Sequence, residues 1–314
     1  MTNSNVVQSP KKKSASIKGA KIRGTIILHT ILVILAVIWL FPILWMVLTA
    51  FRAEYNDAGV FVGLVNGSYF PKSYGFDNFV RLFQGVSGTK YSNGYFLQWF
   101  SNTLIIAIFT CILSTILNLS VAYIMSKMRF KLRKPFLNIA MILGLFPGFM
   151  SIIAIYNILK IFGLLNSYPG SLTALILCYS GGAGLGFYVA KGFFDVVPNS
   201  LLESAKLDGA TNLQSFTRIV LPLSKPIIVY TALTSFLGPW TDFVFARAIL
   251  GEQNPERLTV SVGLYSMMYG EQSDANLFST FVAGCLLVSV PIVTLFLFLQ
   301  KYYVEGITAG AVKG

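Results

Sequence analysis

Charge is scarce in this chain, and so are the residues on which most enzymes depend. Asp, Glu, Lys and Arg make up 11% of the 314 residues, against roughly a quarter in an ordinary soluble domain. With 55% hydrophobic residues and a mean hydropathy of +0.68, that shortage excludes a conventional water-soluble fold. The one histidine, His29, opens the first apolar run with no nucleophile or carboxylate beside it, which excludes a histidine-built metal site within the chain. Cys111, Cys178 and Cys285 each fall inside an apolar run, without CxxC spacing, and read as packing residues. No Walker motif occurs, and the stretch SGGAGLG at Ser180 to Gly186 has neither the G-x-G-x-x-G register nor a following Gly-Lys-Ser/Thr. The chain therefore cannot hydrolyse ATP by itself in the P-loop manner.

What is present is lipid-compatible sequence. Runs without Asp, Glu, Lys or Arg cover Gly24 to Phe51, Tyr91 to Ser126, Pro135 to Leu159, Ile161 to Ala190, Pro226 to Thr241 and Ala275 to Gln300. Most exceed the roughly 20 residues that a helix needs to cross the hydrocarbon. The fifth is shorter and spans only if Lys225 snorkels at one end and Asp242 lies near the other interface. In the sixth, the Leu, Ile, Val and Phe residues between Leu277 and Leu299 supply at most about −6 kcal/mol of insertion free energy. The first run is too long for the core of a cleaved signal, and Trp39 to Phe51 offers no small-x-small cleavage site. The expectation is an all-α integral membrane protein with six spans.

Orientation follows from where Lys and Arg fall. Lys11, Lys12, Lys13, Lys18, Lys21 and Arg23 precede the first run, and Lys127, Arg129, Lys131, Arg133 and Lys134 fill the loop after the second. The loop after the fifth run instead carries Glu252, Glu256, Glu271 and Asp274 against Arg257. Both ends and the segment around Glu203 are thus expected on the cytoplasmic side. The net charge of +12 is mostly this topological signal, with attraction to the anionic lipid of the bilayer, so no nucleic-acid partner is implied.

The expected organisation is a mobile basic tail (1–24), a first span (25–51), an extracytoplasmic loop (52–97), a five-helix core (98–300) and a C-terminal tail (301–314). The loop contains Gly63, Gly67, Gly75, Gly85, Gly88 and Gly94, which break regular elements. Its aromatic residues, among them Phe61, Tyr69, Phe70 and Phe76, argue for order: it either meets a partner at the outer mouth or packs as a lid on its own spans. The glycine cluster at Ser180 to Gly186 either lets helices approach closely or breaks the fourth span.

One polar insert interrupts the core at residues 195–226. Ser200-x-x-Glu203 has the spacing of a capping box that opens a short helix, and Asp208-Gly209 stops it, glycine entering the left-handed conformation at low cost. Thr211-x-x-Gln214 is a second box; it opens a helix bearing Phe216 and Ile219, which Pro222 and Pro226 close. A helix, glycine turn and helix held between two spans is a rigid projection suited to transmit a push, or else an amphipathic hairpin on the inner leaflet.

The residues Glu203, Ala205, Asp208-Gly209-Ala210, Phe216, Ile219, Leu221-Pro222 and Pro226 resemble the EAA loop of binding-protein-dependent ABC importer permeases, with Ser204 where alanine is usual. The ending Gly306-Ile307-Thr308-Ala309-Gly310-Ala311-Val312-Lys313-Gly314 is similar to that of the MalG-like branch, which handles maltose, maltodextrin and related oligosaccharides. The resemblance covers about residues 25–314. It implies a type I importer permease fold, N-in and C-in, in a bacterial cytoplasmic membrane, with the insert as a coupling helix between spans four and five. It also implies partners: a second, MalF-like permease, two MalK-like ABC ATPase subunits and an extracytoplasmic sugar-binding protein. ATP and magnesium would reside on the ATPase, this chain holding no cofactor and catalysing nothing.

In this reading Glu203 and Asp208 shape the coupling helix and offer acceptors to the ATPase, Gly209 permits the turn, and Ala205 and Ala210 allow close approach. Phe216, Ile219 and Pro222 complete the coupling surface, and Lys313 and Gly314 reach the ATPase interface. Ionisable residues within spans default to functional hypotheses: Asp242 is either an interfacial pair with Arg247 or a partner contact, or else it lines the substrate pathway. Trp240, Tyr156 and Asn157 are further pathway candidates by their stacking and hydrogen-bonding chemistry, Trp240 being equally suited to anchor an interface. The rival reading is a self-sufficient sugar carrier driven by an ion gradient, for which one near-interface Asp and one glycine cluster give thin support.

Overall fold

The computed structural model describes residues 13–63, 68–86, 93–145, 148–182, 186–251, 253–269 and 277–311. Among them there is no strand, and only two isolated bridges, Arg52 to Tyr74 and Tyr55 to Phe61. Three helices are long and apolar enough to cross a membrane: α1 (Lys13–Ala50) over Ile22–Ala50, α3 (Phe96–Lys127), and α14 (Phe278–Ala311) over Phe278–Lys301. Helix α3 contains neither Gly nor Pro, so nothing in its backbone interrupts the hydrogen-bond ladder.

Two expected spans are each divided into two helices. The fourth run forms α6 (Tyr168–Gly182) and α7 (Gly186–Val196), parted at the glycine cluster and bent by 41°. Of its glycines, Gly186 also sits close to α3, where a Cβ would come 3.3 Å from Asn118, whereas Gly181 faces open space. The third run, expected as one span over 135–159, is α4 (Arg133–Gly144) and α5 (Gly148–Ile161). The sequence Phe146-Pro147-Gly148 accounts for the division, since a proline ring clashes with the carbonyl four residues back and glycine favours no helix.

Helix α11 (Lys225–Thr241) is the fifth run, and α12 (Val244–Leu250) and α13 (Val260–Tyr269) follow it. Helix α3 is the hub, packing against α6, α7 and α11, while α14 joins α1, α11 and α13. The segment after α12 is tied to the start of α3 by side chains buried there. Trp99 Nε1 donates to Pro255 O at 2.6 Å, Asn102 Nδ2 to Glu256 O and Leu258 O at 2.9 Å, and Thr103 Oγ1 accepts from Val260 N at 2.8 Å. Each such bond contributes about 0.5–1.5 kcal/mol net, but a buried carbonyl left unmet costs about 1–3 kcal/mol. Gly263 lies against the Trp99 ring, where a Cβ would come within 2.2 Å of it.

Two sequence expectations are corrected at the N-terminal side. The basic tail is helical from Lys13, α1 continuing the ladder of the span backwards through Gly24 and Gly19 with no proline among residues 13–24; residues 1–12 lie outside the described residues. The 52–97 loop is not free of regular elements: α2 (Asp77–Gln84) forms within it and packs on α14. Buried Asn78 holds it there, its Nδ2 donating to Ala50 O and Arg52 O (3.1 and 2.8 Å) while its Oδ1 accepts from Thr280 (3.2 Å). The described part of the loop is thus a lid on its own helices. Most of α1, by contrast, turns its apolar surface outward, none of its most apolar stretch being buried within this chain.

Candidate functional site

The polar insert comprises α8 (Asn199–Leu207), α9 (Asn212–Ser215), a π turn (Phe216–Val220) and α10 (Leu221–Leu223). Helix α8 ends in a left-handed Gly209 (φ +83°), with Gly209 N donating to Lys206 O at 3.0 Å and Ala210 N to Ala205 O at 2.8 Å. This is a complete Schellman motif, so Ala205 and Ala210 close the turn through their backbones. The second capping box is formed: Gln214 N donates to Thr211 Oγ1 at 3.2 Å and Thr211 N to Gln214 Oε1 at 2.8 Å.

The first box is not formed. Helix α8 starts two residues early, with Pro198 as its N-cap, so Ser200 already lies inside the helix and no side chain caps it. Nor does Pro222 close the second helix. Lacking an N–H to give to Arg218 O, it follows a turn already widened to π geometry, in which Leu221 N donates to Phe216 O, and the helical path runs on to Leu223. The chain turns at Ser224, and the insert meets α11 at 88°. If α11 stands across a membrane, the insert lies along its surface.

The insert is held from beneath by residues that sequence spacing does not single out. The Phe216 ring lies 4.8 Å from that of Tyr123 and 6.4 Å edge-on from that of Phe194, and the Tyr123 hydroxyl donates to Asn212 O at 3.1 Å. Phe216 and Ile219 pack onto a core containing Leu119, Phe187, Leu202 and Val220; they anchor the insert and are not its free surface. Lys127 at the end of α3 donates to Val197 O at 2.6 Å and Asn199 Oδ1 at 3.2 Å, and Ser126 donates to Asp195 Oδ1 at 2.6 Å. The only advance signal for these groups was the basic loop after α3. The outer side presents Glu203, Leu207, Asp208, Gly209 and Leu213, with Leu207 90% and Leu213 70% exposed; Pro222 is exposed as well. Two such apolar side chains at a rigid tip suit a protein contact better than open water. Lys313 and Gly314 lie outside the described residues.

The pathway candidates separate. Trp240 is 3% exposed, packed on Phe100 and Phe236, and its Nε1 finds no partner; within this chain it is a core residue, neither interfacial nor lining. Asn157 is exposed and donates to Ile153 O of its own helix at 2.9 Å. Tyr156 lines a cavity of about 410 Å³ with Ile152, Ile249 and Asn254. Asp242 does not pair with Arg247, whose guanidinium lies over the Phe243 and Tyr265 rings, 5.5 and 5.0 Å from their centroids. Its carboxylate instead receives the Tyr179 hydroxyl at 2.6 Å and caps α12, taking Phe245 N at 3.3 Å and Ala246 N at 3.0 Å. It lines a separate cleft of about 480 Å³ between α3, α6 and α11. No group of three or more His, Cys, Asp or Glu able to hold a metal occurs among the described residues.

Comparison with known proteins assigns this architecture a family. Residues 118–308, which include the insert, match the family described as "Binding-protein-dependent transport system inner membrane component". The chain is 37% identical over 287 residues to the galactooligosaccharides transport system permease protein GanQ of Bacillus subtilis, covering 91% of this chain and 94% of that one. It is 34% identical over 295 residues to the maltodextrin transport system permease protein MdxG of the same organism (94% and 98% covered), and 33% identical over 283 residues to the maltose/maltodextrin permease protein MalG of Vibrio vulnificus (88% and 91%). Its fold is similar to that in the crystal structure of a bacterial ABC transporter involved in the import of the acidic polysaccharide alginate, with a TM-score of 0.72 at 19% identity, over 94% of this chain and 100% of that one.

Proposed function

The chain belongs to the family of binding-protein-dependent transport inner membrane components, and from that premise we propose that it forms half of the transmembrane pathway of an ABC importer for oligosaccharides. It is a multi-pass membrane subunit. A second, homologous permease supplies the other half, two ATPase subunits drive alternating access, and an extracytoplasmic binding protein delivers the sugar. ATP and magnesium belong to the ATPase, and this chain carries out no chemistry. The six spans of this reading are α1, α3, α4 with α5, α6 with α7, α11 and α14, with both termini and the insert on the cytoplasmic side.

The observation that carries the coupling role is the build of the insert. It is short, locked by a Schellman turn and a capping box, and anchored on Tyr123, Phe194 and Lys127, at the ends of the helices flanking the cleft. A push on its tip therefore passes into α3, α7 and α11 rather than being absorbed by a loop. Glu203, Asp208 and the exposed Leu207 and Leu213 form the surface offered to the ATPase; Ala205, Gly209 and Ala210 set its shape. The cargo assignment draws on relatives named for galactooligosaccharide, maltodextrin and maltose transport.

Gentle solubilisation and affinity capture of this chain tests the reading. It should bring down an ABC ATPase and a second permease, and the assembly in proteoliposomes should take up oligosaccharide in a vanadate-sensitive manner once the binding protein is added. Uptake by the chain alone, driven by an ion gradient and indifferent to vanadate, would overturn it.

A further inference from the structure

We infer that the cleft between α3, α6 and α11 is a binding site for a neutral, hydroxyl-bearing sugar unit, and that the Asp242 carboxylate in it excludes acidic sugars. The inference rests on the importer reading above. It begins with a pattern on α3: Thr110, Ser114 and Asn118 recur every fourth residue, which places three polar side chains on one stripe of an apolar span. Their stripe faces Ser235 of α11, with Ser114 Oγ accepting from Asn118 Nδ2 at 3.1 Å and from Ser235 at 3.0 Å. The Thr110 hydroxyl lines the same cleft, on a residue 2% exposed, and has no partner. A buried hydroxyl without a partner is costly unless something enters to meet it.

The opposite wall supplies an acceptor with capacity to spare. An ionised carboxylate offers about four lone-pair positions, and Asp242 is given three donors by Tyr179, Phe245 and Ala246. The remaining position suits a sugar hydroxyl. The cleft, about 480 Å³, lies within the roughly 300–1,000 Å³ usual for small-molecule sites. Among the described residues no Lys, Arg or His lines it. A uronate would thus bring its charge toward Asp242 with no compensating cation, in surroundings where like charges are poorly screened, whereas a neutral sugar meets only donors and acceptors.

The test uses the complete membrane complex of this chain with its second permease and ATPase, without the binding protein, whose own selectivity would mask the cleft's. Saturation-transfer NMR then compares a neutral trisaccharide of the transported class with the uronate oligomer of alginate. The wild type should bind the neutral sugar and discriminate against the uronate. The isosteric Thr110→Val should weaken neutral-sugar binding about three- to tenfold, and Asp242→Asn, which removes the charge and keeps one acceptor oxygen for the α12 cap, should narrow the discrimination at least about tenfold. Unchanged affinity in Thr110→Val, or equal binding of both sugars by the wild type, overturns the site. If Asp242→Asn does not assemble, Thr110→Val decides alone. Wild-type proteoliposomes with the binding protein that take up no oligosaccharide would refute the importer reading itself; normal uptake with an unaltered Thr110→Val refutes only the site.

Discussion

Replacing Gly209 by valine isolates the contribution of the turn at the tip of the insert. Its φ of +83° is a region in which L-residues are disfavoured by about 1–2 kcal/mol, more for a branched side chain. A Cβ built there meets nothing within 4 Å, so the cost is conformational and no neighbour in this chain is displaced. What is lost is the Schellman pair, Gly209 N to Lys206 O and Ala210 N to Ala205 O. A penalty of about 1–2 kcal/mol shifts the population of the formed turn about 5- to 30-fold. Membrane insertion should be intact, as the spans are untouched, while uptake and binding-protein-stimulated ATPase activity of the reconstituted complex fall together. Gly209→Asn, which tolerates the left-handed region, should retain most of both. Normal uptake and normal stimulation in Gly209→Val would refute the coupling assignment. An asparagine variant as damaged as the valine one would refute the backbone argument and locate the requirement in close approach to a partner.

Three further outcomes follow from local geometry. Thr211→Ala removes the side-chain acceptor for Gln214 N and should weaken the start of α9 by about 0.5–2 kcal/mol, read as faster hydrogen exchange in the insert, with Thr211→Ser restoring it. Gly263→Ala sets a Cβ 2.2 Å from the Trp99 ring; overpacking of this kind costs about 1–3 kcal/mol and should lower the thermal midpoint of the purified protein. In the 52–97 segment, the hydrogen bond that Tyr55 donates to Asp77 raises the phenol above its ordinary value of 10.0, with burial adding to the shift. Because the folded state holds that proton more tightly, the stabilisation is complete below pH 10 and is lost as the pH rises through the raised value. Tyrosine absorbance titration should show one fewer late-titrating group in Tyr55→Phe than in the wild type.

Where the sequence was legible, the determinants were local. The left-handed Gly209 and the Thr211 and Gln214 box were readable because each depends on residues within three or four positions. The Ser200 box failed for a local reason too, since Pro198 supplied an earlier start. The division of the third apolar run was written in Pro147-Gly148, but hydropathy weighs neither residue's backbone. The site residues fared differently. Asp242 was noticed for its charge, yet its partner Tyr179 lies on another helix; Trp240, equally conspicuous, turned out to be core. Thr110, Ser114 and Asn118 carried a fourfold spacing that could have been found, though a polar stripe serves helix packing as readily as ligand binding.

The amino-acid order by itself therefore determined that this chain lives in lipid, where its polar insert lies and how that insert turns at Gly209. Those properties follow from the cost of burying charge and from short-range backbone hydrogen bonding. Tertiary structure decided which side chains share a space. Phe216 turns inward to Tyr123 and Phe194, the insert stands at 88° to α11, and Asp242 joins Tyr179 across the cleft from Thr110. Such meetings depend on how α3, α6, α7 and α11 rotate and bend against one another, and that is set by the sum of many packing contacts rather than by any one stretch of chain.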